Sequence, residues 1–403
     1  MTRLIATSAD DATQLREDLR RALDGGPALG LGMLGDEPGT VADGTAVVIG
    51  TSGSTGIPKR VVLSGEALRA SAEATARRIG SGHWLLALPA GYVAGLQVIV
   101  RSILAGTTPM TLAGGFSPRS FAEATLSMLR PSTGSGRSGD GSRRDRAGGD
   151  GPEDGIEALY TSLVPAQVAT LLDALDEPGV QAALQAYRAI LVGGQALPES
   201  VRERAAAAGA RLVRTYGSTE TSGGCVYDGI PLDGVQVCEV DGRLCIAGPM
   251  LADGYLGDEA LTSRIFTRDA HGIRWYRTGD TGVVEDGVVR VHGRADNVIV
   301  SGGINVSLDR VERIVRRIPG LSAAVVVGIE DDRWGEASVI VAERGEALRR
   351  SEAEQLAHAR DAVAEEIGRH ARPARLVLVD ELATLPSGKP DRESLRALAA
   401  SLR

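Results

Sequence analysis

The sequence predicts an α/β protein: a large, multi-subdomain N-terminal domain followed by a small C-terminal α/β domain. Three observations predict it. A chain of 403 residues exceeds one ordinary core and implies two or three domains. Strand-like apolar runs alternate with helix-like runs, the pattern of a layered α/β domain. After Gly293 that alternation starts again. The boundary is therefore placed at 294–297, between a domain of residues 1–293 and one of residues 298–403.

Residues 1–45 read as a short lead-in. An apolar run, Ala46 to Ile49, then precedes a hydroxyl- and glycine-rich loop. Trp84 to Leu88, Ala189 to Val192 and Arg211 to Thr215 read as buried strands. Leu63 to Ile79 and Pro198 to Ala208 read as helices, with Ser64 as an N-cap of the first. Residues 131–155 hold almost no apolar side chains, and their arginines are offset by acids, so they read as a solvated, disordered loop. In the C-terminal part, Val298 to Val300, Ala323 to Ile329 and Ser338 to Ala342 are strand-like. Val306 to Arg317 and Ser351 to Arg369 are helix-like.

Composition narrows the function. Hydrophobic residues make up 43% but aromatics only 3%, so the core is built from Ala, Val, Leu and Ile. The net charge of −8 excludes a general nucleic-acid or membrane-surface binder, which needs a basic face. An anionic substrate must then be met by local donors and a metal. Cys225, Cys238 and Cys245 form an odd set without ligand spacing, which points to reduced thiols and a cytoplasmic location. Cys238 and Cys245 are too isolated for a zinc site and read as small buried side chains. The sequence shows no signal-peptide pattern and no apolar run long enough to span a membrane.

The chemistry is carried by segments far apart in sequence. Thr51-Ser52-Gly53-Ser54-Thr55-Gly56 runs on to Lys59 behind an apolar strand. Such a loop wraps polyphosphate with backbone N–H groups and hydroxyls, although no Gly-Lys-Ser/Thr closes it as in a Walker loop. Gly193-Gly194-Gln195 follows a strand end, where glycine lets backbone approach a flat base or an acyl chain. In Tyr216-Gly217-Ser-Thr219-Glu220, the ring can stack on a purine, Thr219 can donate to a phosphate, and Glu220 is a hard oxygen ligand for Mg2+. Asp280 closes Tyr276-Arg-Thr-Gly-Asp and can accept both hydroxyls of a ribose. Near the C-terminus, Pro386-Ser-Gly-Lys389 offers a lysine on a flexible loop.

This set, in this order, resembles the adenylate-forming superfamily of acyl-CoA synthetases, luciferases and adenylation domains, over most of the chain. The resemblance implies ATP, Mg2+ and coenzyme A, a carboxylic acid substrate, and two steps through an acyl-AMP. It implies that Thr51, Ser52, Ser54, Thr55 and Lys59 clamp the β- and γ-phosphates and that Asp280, with Arg294 nearby, holds the ribose. Asp296 is implied as the hinge about which the small domain rotates, and Ser301, Gly302 and Gly303 as a wall of the CoA tunnel. Lys389 is implied as the adenylation lysine. The superfamily often has alanine at Gln195, a polar residue at Ile304 and proline at Leu308. Many members are homodimers, so a homodimer is compatible with the resemblance.

The segments Leu88-Pro-Ala-Gly-Tyr92-Val-Ala-Gly95 and Ser162-Leu-Val-Pro-Ala-Gln167 resemble those of o-succinylbenzoate–CoA ligases of menaquinone synthesis. Tyr92, Gly95 and Gln167 are then acid-pocket residues. Such a substrate carries a second carboxylate that requires a cation, since a buried unpaired carboxylate is costly. Arg77, Arg101 and Arg188 are candidates. Two other readings stand beside this one: a CoA ligase for another aryl or short-chain acid, and a nucleotide-binding homologue without turnover.

Overall fold

The computed structural model describes residues 1–32, 39–51, 59–130, 158–344, 351–385 and 388–402. Its centre is a seven-stranded sheet in the order Ile230–Pro231, Gly223–Tyr227, Leu212–Ser218, Tyr187–Val192, Leu159–Leu163, His83–Leu86 and Met110–Thr111. The last five of these run parallel. Their residues alternate between two cores, as the two-residue period of a strand requires. Trp84, Leu86, Tyr160, Ala189 and Leu191 enter one core with helices Gly65–Ile79 and Val93–Leu104. Leu85, Leu159, Ile190 and Val192 enter the other with helices Pro118–Met128, Pro165–Asp173 and Val180–Ala186.

The expected helices form with small shifts. Helix Gly65–Ile79 is capped by Ser64, whose hydroxyl accepts from Ala67 N at 3.2 Å. Leu63, expected in that helix, lies in strand Lys59–Ser64 instead. Val306 likewise belongs to strand Ile304–Ser307, and helix Leu308–Val315 starts after its cap Ser307. Both residues are β-branched or apolar positions at a strand–helix junction, where the two periods overlap.

The lead-in reading of residues 1–45 is corrected. Strand Thr2–Ala6, helix Ala12–Leu23 and strand Ala28–Leu31 form a parallel unit that joins Thr45–Thr51 in a six-stranded sheet. Leu15, Leu19 and Leu31 are wholly buried in the core shared with the central sheet. A third sheet carries hairpin Gln236–Val240/Arg243–Ala247 and the long strands Arg274–Glu285 and Val288–Arg294. Asp241 and Gly242, both at positive φ, form its two-residue turn. That turn sets Cys238 directly opposite Cys245, so the two are neighbours and not isolated. Burial raises both thiol pKa values. Among the described residues no cluster of His, Cys, Asp or Glu can hold a metal by itself. The expected loop 131–155 lies outside the described residues.

From Val298 onward the chain builds its own sheet, in the order Ile304–Ser307, Val298–Ser301, Gly335–Glu343 and Val325–Asp331, with Arg375–Val379 parallel to Gly335–Glu343. Helices Leu308–Val315 and Glu352–Glu366 cover one face and Arg392–Ser401 the other. Glu312 is buried between them. It accepts from Val326 N at 2.9 Å and Arg392 at 2.8 Å, and pairs with Arg316 at 2.8 Å. Removing one member of such a network strands the others, at a cost of about 3–5 kcal/mol. Glu312→Ala should therefore lower the urea stability of the C-terminal domain by about that amount; a loss under about 1 kcal/mol would show the network to be dispensable.

Candidate active site

Parallel strands place their carboxyl ends, and the loops that follow, along one edge of the sheet, where α/β proteins bind ligands. Four of the sequence motifs start at such ends. Pro89 to Gly95 follows His83–Leu86, Val164 to Gln167 follows Leu159–Leu163, Gly193 to Gln195 follows Tyr187–Val192, and Tyr216 to Glu220 closes Leu212–Ser218. Two glycines are sterically required. A Cβ on Gly193 would lie 2.4 Å from Thr215 Oγ1, and one on Gly217 would lie 2.1 Å from Gly223 O. Gly217 sits at the irregularity where strand Leu212–Ser218 pairs with Gly223–Tyr227.

Asp280 arrives from the third sheet. Tyr216 donates its phenol to Asp280 Oδ2 at 2.6 Å, and Arg294 lies 3.5 Å from Oδ1. Burial pushes the Asp280 carboxyl above its usual range, opposed by the Tyr216 hydrogen bond and the Arg294 charge. Arg294 also grips Asp296 through two bonds of 2.7 and 2.8 Å. Asp309 of the small domain accepts from Arg294 N and from the Asn297 amide, each at 2.7 Å.

Glu220 lies in the short turn Thr219–Thr221. Its Oε1 accepts from Tyr255 at 2.9 Å, and the Tyr276 phenol lies 3.5 Å from Ser218 Oγ beside it. Burial, then Glu220, raises both phenols well above the ordinary range, so both stay neutral. Lys59 Nζ stands 5.8 Å from the Tyr255 ring centroid. Thr51 and Lys59 are register partners across the mouth of the phosphate-loop candidate, and Thr51 donates to Lys59 O at 3.3 Å. Ser52, Gly53, Ser54, Thr55 and Gly56 lie outside the described residues. A single carboxylate with a neutral donor fits Mg2+ only together with phosphate oxygens, the usual mode for that ion.

Lys389 O accepts from Leu385 N at 2.7 Å, and Leu385 O accepts from Gly388 N at 2.8 Å. Lys389 is exposed. Desolvation lowers its pKa, while the carboxylates of Glu220 and Asp280 favour the charged form and Arg294 opposes it. A Cβ on Gly194 would meet Lys389 Cε at 3.4 Å. The structure thus brings Asp280, Arg294, Glu220, Gly194 and Lys389 together. The turn of Ser301, Gly302 and Gly303 is outside this cluster, and its Gly302 N donates to Trp334 O at 2.8 Å.

The acid segments are ordered by the sheet. Tyr92 is the half-buried N-cap residue of helix Val93–Leu104. Gly95 packs against backbone, with a Cβ only 2.3 Å from Pro89 O. Gln167 ties two strand ends, donating to Ala87 O at 3.0 Å and accepting from Val164 N at 3.1 Å. Sequence reasoning passed over Tyr255. It had a signal, however: only seven tyrosines exist, and Tyr216, Tyr255 and Tyr276 converge here. Because Tyr216 favours ionised Asp280, Tyr216→Phe should raise the Asp280 pKa further. The acid-side loss of ATP binding, followed calorimetrically against pH, should then begin at higher pH than in the wild type. An unmoved limb would uncouple Asp280 from nucleotide binding.

Two family models match the chain: AMP-binding enzyme over residues 156–256 and AMP-binding enzyme C-terminal domain over residues 310–389. The chain is 38% identical over 362 residues to a probable 2-succinylbenzoate–CoA ligase of Mycobacterium tuberculosis, covering 88% of this chain and 85% of that protein. Its fold is similar to that of the o-succinylbenzoate–CoA synthetase of Bacillus subtilis in complex with its acyl-adenylate intermediate, with TM-score 0.68 and 22% identity over 95% of this chain and 80% of that one. It is similar too to the amide bond synthetase of Marinactinospora thermotolerans, with TM-score 0.71 and 22% identity over 98% and 80% of the two chains. The large N-terminal and small C-terminal α/β domains, the converging motifs and the 38% relative together show that the chain belongs to the adenylate-forming, AMP-binding enzyme family, as an AMP-forming acid–CoA ligase.

Proposed function

We propose that this enzyme converts o-succinylbenzoate, ATP and CoA to o-succinylbenzoyl-CoA, AMP and pyrophosphate, a step of menaquinone synthesis. A carboxylate oxygen attacks the α-phosphorus and the bond to pyrophosphate breaks. The CoA thiol then displaces AMP from the acyl carbon and loses its proton. Lys389 offsets charge growing on the phosphoryl oxygens. Thr219 donates to the α-phosphate. Glu220 would hold Mg2+, which would supply positive charge against the phosphates. Tyr216, Gly193 and Gly194 frame the base, and Asp280 with Arg294 takes the ribose. Thr51, Lys59 and the loop between them take the β- and γ-phosphates. Residues 294–297 serve as the hinge around Asp296, and Ser301 to Gly303 line the CoA tunnel after rotation.

One observation carries the choice of a dicarboxylic acid. Arg77 and Arg188 are exposed, and Arg77 already lies near Glu73 and Asp233. Arg101 is different. Only 7% of it is exposed, its Nε has no hydrogen-bond partner, and none of the described carboxylates pairs with it. It stacks 5.0 Å from the Trp84 ring centroid, and burial lowers its pKa. Along helix Val93–Leu104 it shares a face with Val93 and Gln97. Gln97 Oε1 is likewise buried without a donor. Arg101 stands in the last turn of this helix, about 9 Å along its axis from Gly95, and a buried, unmatched guanidinium there suits the second carboxylate of an acid long enough to reach it from the strand ends. The similarity to the named ligase of Mycobacterium tuberculosis supports the same acid.

AMP formation across a panel of acids tests this reading. Turnover should be strongest with o-succinylbenzoate. Lys389→Ala should cost about 3 kcal/mol in the adenylation barrier, over a hundredfold. Arg101→Met should raise KM for o-succinylbenzoate roughly tenfold or more, the loss of a charged hydrogen bond of about 1.5–3 kcal/mol, and leave KM for ATP unchanged. Preference for a monocarboxylic acid would overturn the substrate assignment.

A further inference from the structure

Gln195 follows Gly193 and Gly194, and its place in the sequence groups it with the nucleotide-site candidates. The structure commits its amide elsewhere. Gln195 Nε2 donates to Gly388 O at 3.2 Å, across 193 residues of sequence and from the large domain to the loop of Lys389. On either side of Gly388, Leu385 is bonded to Lys389 and to Gly388, and Thr384 pairs with Pro390. Beyond Pro390, Arg392 donates to Val326 O and Glu312, each at 2.8 Å.

Its seat on the large domain is narrow. Gly388 adopts φ +76°, so its carbonyl is presented by a conformation glycine favours. A Cβ there would meet Val164 Cγ2 at 3.2 Å, and one on Gly194 would meet Lys389 Cε at 3.4 Å. Val164 and Gly194 supply shape, and Gln195 supplies a directed polar contact. We propose that Gln195 is a positioning residue that latches the Lys389 loop in the orientation for adenylation and is idle in thioester formation. It acts through Lys389, not on the nucleotide. The inference rests on the two-step ligase reaction but not on the identity of the acid.

The test separates the half-reactions in the full-length enzyme, with whichever acid the wild type turns over in the panel. Single-turnover pyrophosphate release reports adenylation. Thioester formation from chemically supplied acyl-AMP and CoA reports the second step. Gln195→Met keeps volume and loses the donor, and Gln195→Glu sets a carboxylate against the Gly388 carbonyl. For Gln195→Met, the adenylation rate should fall about three- to tenfold, the size of one neutral hydrogen bond. KM for ATP should stay within twofold, as should thioester formation. Gln195→Glu should lose more in adenylation alone. Unfolding midpoints equal to the wild type show that both variants are folded. A rise in KM for ATP at constant adenylation rate would return Gln195 to the nucleotide site and overturn the latch. Equal losses in both half-reactions, or none, would also overturn it. Wild-type turnover of a different acid overturns the substrate assignment but leaves the latch standing, whereas silence on every acid overturns both.

Discussion

The parallel register of the central sheet is the constraint on which the site depends. His83–Leu86, Leu159–Leu163, Tyr187–Val192 and Leu212–Ser218 point the same way, so the loops after them open on one edge. A strand with both faces buried cannot slip by one residue without exchanging its two hydrophobic sets. Trp84 and Leu85, or Ala189 and Ile190, belong to different cores, and each pair fixes its strand. The positions of Gly193, Val164 and Tyr216 follow from that packing. Catalytic geometry is here a by-product of core register.

On this edge the protein concentrates charge that burial disfavours. Asp280 and Lys389 are pushed by desolvation in opposite directions, one up and one down. The Asp280 carboxylate favours the charged form of Lys389, while Tyr216 and Arg294 favour the charged form of Asp280. Neutral phenols complete the arrangement: Tyr216 and Tyr255 donate to Asp280 and Glu220 without adding charge. This is how a chain of net charge −8 can present a site to a polyanion. The net charge of −8 opposes a polyanion, so the attraction has to come from Lys389, Lys59 and Arg294 at short range, where screening by salt is weak.

The motifs were legible because their signals are local. Glycines at strand ends and hydroxyls before Lys59 report backbone needs that neighbouring residues determine. The first sheet was not legible. Thr2–Ala6 is mostly exposed and becomes a strand only through pairing with Ala28–Leu31 and Thr40–Val41. The Cys238–Cys245 juxtaposition was encoded in the Asp241-Gly242 turn, a strong hairpin signal that a reading centred on cysteine spacing passed over. Arg101 could be nominated but not chosen from Arg77 and Arg188, since burial of a charge is a tertiary property. Gln195 was assigned to its sequence neighbours because its partner is supplied by another domain.

The proposed rotation places a limit on how the domains meet. A domain that must leave one orientation to complete the second step cannot be held by a large apolar interface or a buried ion pair. The observed links suit that requirement. Gln195 to Gly388 is one neutral hydrogen bond at 3.2 Å, and the small domain's Arg313 donates to His292 O from an exposed position. Each is worth about 1 kcal/mol, enough to bias an equilibrium several-fold and little enough to break in every cycle. Arg294 adds a connection between them: it touches the carboxylate proposed to hold the ribose, and its own backbone is held by Asp309 of the small domain. In the proposed mechanism, occupancy of the nucleotide site would bear on residues 294–297 through this one arginine.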